Sequence, residues 1–117
     1  MKILLVLLPV LIACGKSDVT PPVITVTSPV DNQVFTGSQT VTVKADISDN
    51  VNIHMVMIMV MDNNGYHQIQ KDYHPDTKTF VINETFITAS SKIYSIHIEA
   101  ADHNENKIMK DITVSAN

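Results

Sequence analysis

The chain has one cysteine, no tryptophan and no arginine in 117 residues, and each absence removes a class of protein. A single cysteine closes no intramolecular disulfide, so the fold depends on its apolar core alone. Without arginine, and with 12 Asp and Glu against 8 lysines, the chain is acidic, with a formal charge of −4. It carries no basic cluster, which excludes nucleic acid as a partner and docking on anionic lipid by charge. Three Tyr and three Phe are its only aromatics, leaving few rings to stack on a sugar. No segment has the apolar period of a helix, and no internal repeat is present. There is no Gly-x-Ser-x-Gly elbow and no cysteine placed as a nucleophile. The acidic residues flank turns, where Asp and Asn are used for backbone reasons. The reading is therefore a protein that is not an enzyme.

What is there begins at the N-terminus. Met1 and Lys2 precede an unbroken apolar run over residues 3–13, which stops at the one cysteine, Cys14. One basic residue, a short apolar region and a small residue at the cut make an export signal rather than a membrane span. The ending Leu11-Ile12-Ala13-Cys14 resembles the lipobox of bacterial lipoproteins. The resemblance implies that residues 1–13 are removed and that Cys14 carries lipid, more than one chain being needed for stable attachment. Loss of Lys2 leaves 7 lysines against 12 acidic residues, a formal −5. Residues 14–20 then form a small, polar tether, and Pro21-Pro22 opens the domain at 21–117. The resemblance places the protein in the cell envelope, held to the outer membrane on its periplasmic or surface side.

The rest of the chain is organised around residues 53–61, where eight of nine residues are apolar and sort by parity. Met55, Met57, Met59 and Met61 fall on one side of an extended strand; Val56, Ile58 and Val60 fall on the other. Around this stretch, alternation predicts further strands. Ile24 and Val26 face inward before Ser28-Pro29. Val41, Val43, Ala45 and Ile47 alternate with polar residues. Asn63-Asn64-Gly65 reads as a hairpin turn leading to a polar return strand over 66–73. Phe80, Ile82 and Phe86 anchor the next strand. Tyr94, Ile96, Ile98 and Ala100 give the best-patterned one, and Ile112 and Val114 the last. About seven short strands in this length predict an all-β, immunoglobulin-like antiparallel β-sandwich. A small lipocalin-like barrel is the alternative.

The turn chemistry narrows this. Pro22-Val-Ile…Ser28-Pro29, Ala45-Asp46-Ile-Ser-Asp49-Asn50-Val51 and Tyr94…Ala100-Ala101-Asp102…Asn106 resemble the Ig-like domains of bacterial surface and secreted proteins. The resemblance covers nearly all of 21–117. With the lipobox, the chain resembles the small surface lipoproteins of Bacteroidetes-type bacteria. It departs from the pattern at Asn52 and Glu105, where Gly is common, although both positions are expected to turn. The resemblance implies adhesion or assembly and supplies no catalytic residues.

Three binding readings remain open. With Val56, Ile58 and Val60 in the core, Met55, Met57, Met59 and Met61 face out as an apolar stripe, an expected surface for a protein partner or a second copy. A different arrangement of the same face is a copper site, since thioether and imidazole suit Cu(I). Its ligands would be Met57 and Met59 with His97 and Met109 from neighbouring strands. Calcium is a further possibility through Asp102, Asn104 and Asn106, or Asp46, Asp49 and Asn50, but a sandwich can place these groups at opposite ends. His54, His67, His74 and His103 lie near strand ends and turns; His67 and His74 each follow a Tyr and are candidates for a carbohydrate-binding edge.

Anchoring by Cys14 is directly testable. Cys14→Ala is expected to release the protein from membranes or to block its processing, with loss of fatty-acid label. A mature protein that stays in the membrane fraction without label would refute the anchor.

Overall fold

The computed structural model describes residues 17–117, so the 1–13 signal, Cys14 and the first part of the tether lie outside the described residues. Within them the chain forms seven strands and turns: β1 (Val23–Ser28), β2 (Val34–Phe35), β3 (Thr40–Asp62), β4 (His67–Tyr73), β5 (Thr77–Ile87), β6 (Lys92–Asp102) and β7 (Lys107–Ala116). The strands expected at 41–47 and 53–61 are the two halves of one 23-residue strand, β3. Its first half pairs antiparallel with β1 and β5. Its second half pairs antiparallel with β4 and β6. β7 extends the second layer from β6, and β2 pairs parallel with the end of β7. One layer is thus β1-β3-β5 and the other β4-β3-β6-β7-β2, continuous through β3.

β3 serves both layers because its alternation changes phase. Odd positions are buried in the first half: Val41, Val43, Ala45 and Ile47. Even positions are buried in the second: Val56, Ile58 and Val60, each 0% exposed. Between them, Ile53 pairs with Asp102 and Met55 with Ala101, so His54 is an extra residue in β3. Such a bulge bends the strand and turns the following side chains to the other face. The inner faces then enclose one core with Ile82 and Phe86 of β5, Ile96 and Ile98 of β6, and Ile112 and Val114 of β7. Each fully buried Val or Ile contributes roughly 1.5–3 kcal/mol.

Two polar contacts join the layers where alternation alone gives no warning. Tyr94 packs its ring 5.1 Å from Phe86, and its hydroxyl accepts a 2.8 Å hydrogen bond from the Ala89 amide. A buried phenol tied to backbone upstream of its own strand is the tyrosine corner of Ig-type sandwiches. Glu84 shares the inward parity of Ile82 and Phe86 on β5. Its carboxylate takes Lys71 at 2.8 Å and the Tyr73 hydroxyl, both from β4. Lys71 first, then Tyr73, hold the Glu84 carboxyl below its ordinary range against the opposing effect of burial. Burial and then the Glu84 contact push the Tyr73 phenol up to about 12. An inward charge at a strand edge is satisfied here by the neighbouring layer.

The β3–β4 and β6–β7 hairpins are built alike. Asp62 Oδ1 accepts from the amides of Asn64 (2.9 Å) and Tyr66 (3.0 Å). Asp102 Oδ1 accepts from Asn104 (2.8 Å) and Asn106 (3.0 Å). The fourth residue of each turn is left-handed: Gly65 at φ 84° and Glu105 at φ 64°. Glu105 therefore turns as expected, whereas Asn52 does not take a positive φ and lies within β3. The left-handed region costs a non-glycine residue about 1–2 kcal/mol. Gly65→Ala is expected to destabilise the domain by about that amount, since an added Cβ meets nothing within 4 Å and only the backbone objects. Glu105→Gly should raise stability by up to about 1 kcal/mol, the greater freedom of the unfolded chain offsetting part of the gain. Urea melts of both variants check the pair. A neutral Gly65→Ala together with a destabilising Glu105→Gly would refute the backbone account.

Candidate functional site

The second layer presents its outer face on β4, β3, β6 and β7, and the register assigns that face residue by residue. Asp72, Met57, Glu99 and Met109 form one row across the four strands. Gln70, Met59, His97 and Asp111 form the next. Met61 stands beside His67 and Ser95, and Met55 beside Ala101, which in turn pairs with Lys107. The four methionines of β3 are half-buried on the side opposite Val56, Ile58 and Val60, while Met109 is 55% exposed. They make a stripe one residue wide rather than a broad apolar patch, because the flanking positions are polar. Those flanks are paired among themselves: Lys107 with Glu99 at 2.9 Å, and His97 Nδ1 with Asp111 Oδ1 at 2.6 Å.

His97 is thereby committed to carboxylates, its Nε2 lying 3.5 Å from Glu99. The Asp111 hydrogen bond raises its pKa above the ordinary 6.5, with burial opposing and Glu99 adding to the rise. Met57 and Met109 sit two strands apart, about 10 Å at the backbone. Neither observation favours a copper centre of Met57, Met59, His97 and Met109.

The opposite outcome holds at the end of the sandwich where β1 begins. Here the bend of β3, the β4–β5 connection and the β6–β7 turn converge, and they bring together residues that the sequence spreads over nearly ninety positions. His54 and His103 have ring centroids 4.4 Å apart and His54 and His74 6.0 Å. His103 Nε2 lies 2.7 Å from Asp76 Oδ1. All three rings are exposed, and His67 lies at the other end of β4 from His74. Of the three tyrosines only Tyr66 is open, at 69% exposed.

Beside these rings lie Asp49 and Asp102, joined by Asp18 of the tether. Of the calcium-type oxygen donors that a sandwich can place at opposite ends, Asp49 and Asn50 lie here at the same end as Asp102 and Asn106, while Asp46 stands within the first half of β3. Asp18 was not distinguishable in the sequence, since a single Asp in a polar tether carries no pattern. Asn50 Nδ2 donates to Asp18 Oδ1 at 3.0 Å, and Asn106 Nδ2 donates to the Asp18 main-chain oxygen at 3.0 Å. Burial disfavours the charged form of Asp102, but hydrogen bonds led by the Asn106 side chain hold its pKa below the ordinary value.

The His97 pair has a pH signature. A raised folded-state pKa means that its contribution is fully present below about 6.5, the unfolded value, and is lost as pH rises through the folded value. Titration of His97 by NMR is expected to show a midpoint above 6.5, returning toward it in Asp111→Asn. A midpoint unchanged by that substitution would refute the pairing.

Comparison with known proteins agrees with the all-β, Ig-like architecture. A family model described as bacterial Ig domain matches residues 22–114, most of the chain and all of its strands but the last residues of β7. A search of curated proteins gives no match. Domains of this family are generally non-catalytic binding or assembly modules, typically of extracellular or surface-associated proteins. On a match of this extent, the chain belongs to the bacterial Ig domain family.

Proposed function

We propose that this protein is an exported, lipid-anchored Ig-like module, attached through Cys14, that presents the methionine-lined face of its second layer to a protein partner. The observation that carries the reading is the filled core behind β3. Val56, Ile58 and Val60 are each 0% exposed, so Met55, Met57, Met59 and Met61 are not needed to complete the interior. Thioethers are adaptable and polarisable, and they suit a surface that conforms to another molecule. An apolar stripe rimmed by paired charges, Lys107 with Glu99 and His97 with Asp111, has the composition of a protein interface, apolar at its centre and polar at its rim.

The test uses the anchored protein in cells that express it, with a photo-crosslinking residue in place of Met59. A discrete adduct is expected from this position and not from Val81, which is exposed on the other layer. Met57→Thr with Met59→Thr should leave the urea midpoint within about 1 kcal/mol of the parent and abolish the adduct. An adduct of twice the chain mass identifies a second copy as the partner. No adduct from Met59, or unfolding of the double variant, would overturn the reading. Tight Cu(I) binding by the monomer, lost in that variant, would replace it with the metal alternative.

A further inference from the structure

We propose that Asp18, Asp49 and Asp102 bind a calcium ion, and that the ion clasps the tether to the loop end of the sandwich. The three carboxylates come from distant parts of the chain: the tether, the bend of β3 and the last residue of β6. Each offers an oxygen, and these atoms all lie within 4.8 Å of one another. Two oxygens each about 2.4 Å from one calcium ion can be no more than about 4.8 Å apart.

Two of the three carboxylates are buried and Asp18 is half-buried, and none has a countercharge among the described residues. Asp49 is 9% exposed and Asp102 2%. Among the described residues no lysine or histidine nitrogen lies within 4.0 Å of any of the three; the lysines and histidines that form ion pairs do so with Glu84, Asp62, Glu99, Asp111 and Asp76. Gathering carboxylates away from water without a cation is costly. The hydrogen bonds orient the carboxylates without completing them. Asp49 Oδ2 accepts from the Val51 amide at 3.0 Å, and Asp18 Oδ1 accepts from Asn50 and from the Thr20 amide at 3.1 Å. Asp102 Oδ2 accepts from Asn106 Nδ2 at 2.8 Å. Asp49 Oδ1 and Asp18 Oδ2 are buried and have no partner among the described residues. A nine-tenths buried aspartate that has an unpartnered oxygen, and whose carboxylate lies within 4.8 Å of two others, is an arrangement that a cation completes.

The donor set identifies the cation. It is all oxygen and mostly anionic, which suits a hard divalent ion rather than a soft one. Calcium tolerates irregular geometry and six to eight oxygens, with water filling the remaining positions, whereas magnesium demands a near-ideal octahedron and keeps its waters. The consequence falls on the tether. Asp18 is held to the domain by Asn50, by Asn104 at 3.3 Å and by Asn106, and calcium turns the repulsion among three carboxylates into a bridge across them. That this orients the domain on a membrane rests on lipid attachment at Cys14; the binding itself does not.

The test is calorimetric titration of the full-length Cys14→Ala protein with calcium after chelation, so failure of the anchor or of the methionine face leaves it intact. One ion per chain is expected, with a Kd at or below the order of 1 mM, a higher melting temperature, and slower amide exchange at residues 18–20. Asp18→Asn, outside every strand, should weaken binding by at least about tenfold and Asp49→Asn likewise, whereas Asp76→Asn should not. Should Asp49→Asn fail to fold, Asp18→Asn carries the comparison. Absence of binding at about 10 mM calcium, well above the range of extracellular modules, would overturn the proposal in favour of carboxylates sharing a proton. Tighter binding of magnesium than of calcium, or equal affinity in Asp18→Asn, would overturn it as well.

Discussion

The bulge at His54 is the constraint on which the rest of this structure depends. β3 pairs with β1, β4, β5 and β6, and it belongs to both layers. A strand with one unbroken alternation would keep its buried side chains on the same parity throughout its length. The extra residue lets odd positions fill the core in the first layer and even positions in the second. Val43 and Ala45, then Val56, Ile58 and Val60, are all at 0% exposure as a result. At roughly 1.5–3 kcal/mol for each large side chain, and with no cysteine among residues 17–117 to cross-link, that burial is the main source of stability.

The same bend shapes the functional surface. Turning even positions inward leaves Met55, Met57, Met59 and Met61 on the outer face, beside the charged pairs of β6 and β7. The bend also carries Asp49 to the end of the sandwich where β6 closes at Asp102 and where the tether enters. One local irregularity thus determines both the methionine face and the carboxylate cluster. The two are distinct in character: on the first, a half-exposed surface, the charges of β6 and β7 pair with one another, while the second is a largely buried group with no lysine or histidine partner among the described residues.

Polar residues at the hairpins have backbone duties that precede any binding role. Asp62 and Asp102 cap equivalent turns through the same two amides, so an aspartate at that position has a structural reason to exist. What separates Asp102 from Asp62 is its surroundings. Asp62 has Lys92 3.7 Å away, while Asp102 has two more carboxylates. Identical local chemistry therefore leads to different sites, depending on what the other loops bring to it.

The sequence by itself determined which stretches are extended, their facing and the family resemblance, though not that 41–47 and 53–61 form one strand. Period-2 alternation is a local property, read correctly at Val41, Val43, Ala45 and Ile47, at Val56, Ile58 and Val60, and at Ile96 and Ile98. Turn residues are local too, and Asn63-Asn64-Gly65 gave its hairpin. Tertiary structure alone decided what meets across loops. Nothing local marks Glu84 as the partner of Lys71 and Tyr73, or Tyr94 as the tie to Ala89. Asp18, Asp49 and Asp102 are separated by 31 and 53 residues, and His54, His74 and His103 by 20 and 29. Their meeting depends on how two sheets stack and where β3 bends, and those are settled by burying side chains from every strand at once, a condition that no single stretch of sequence encodes.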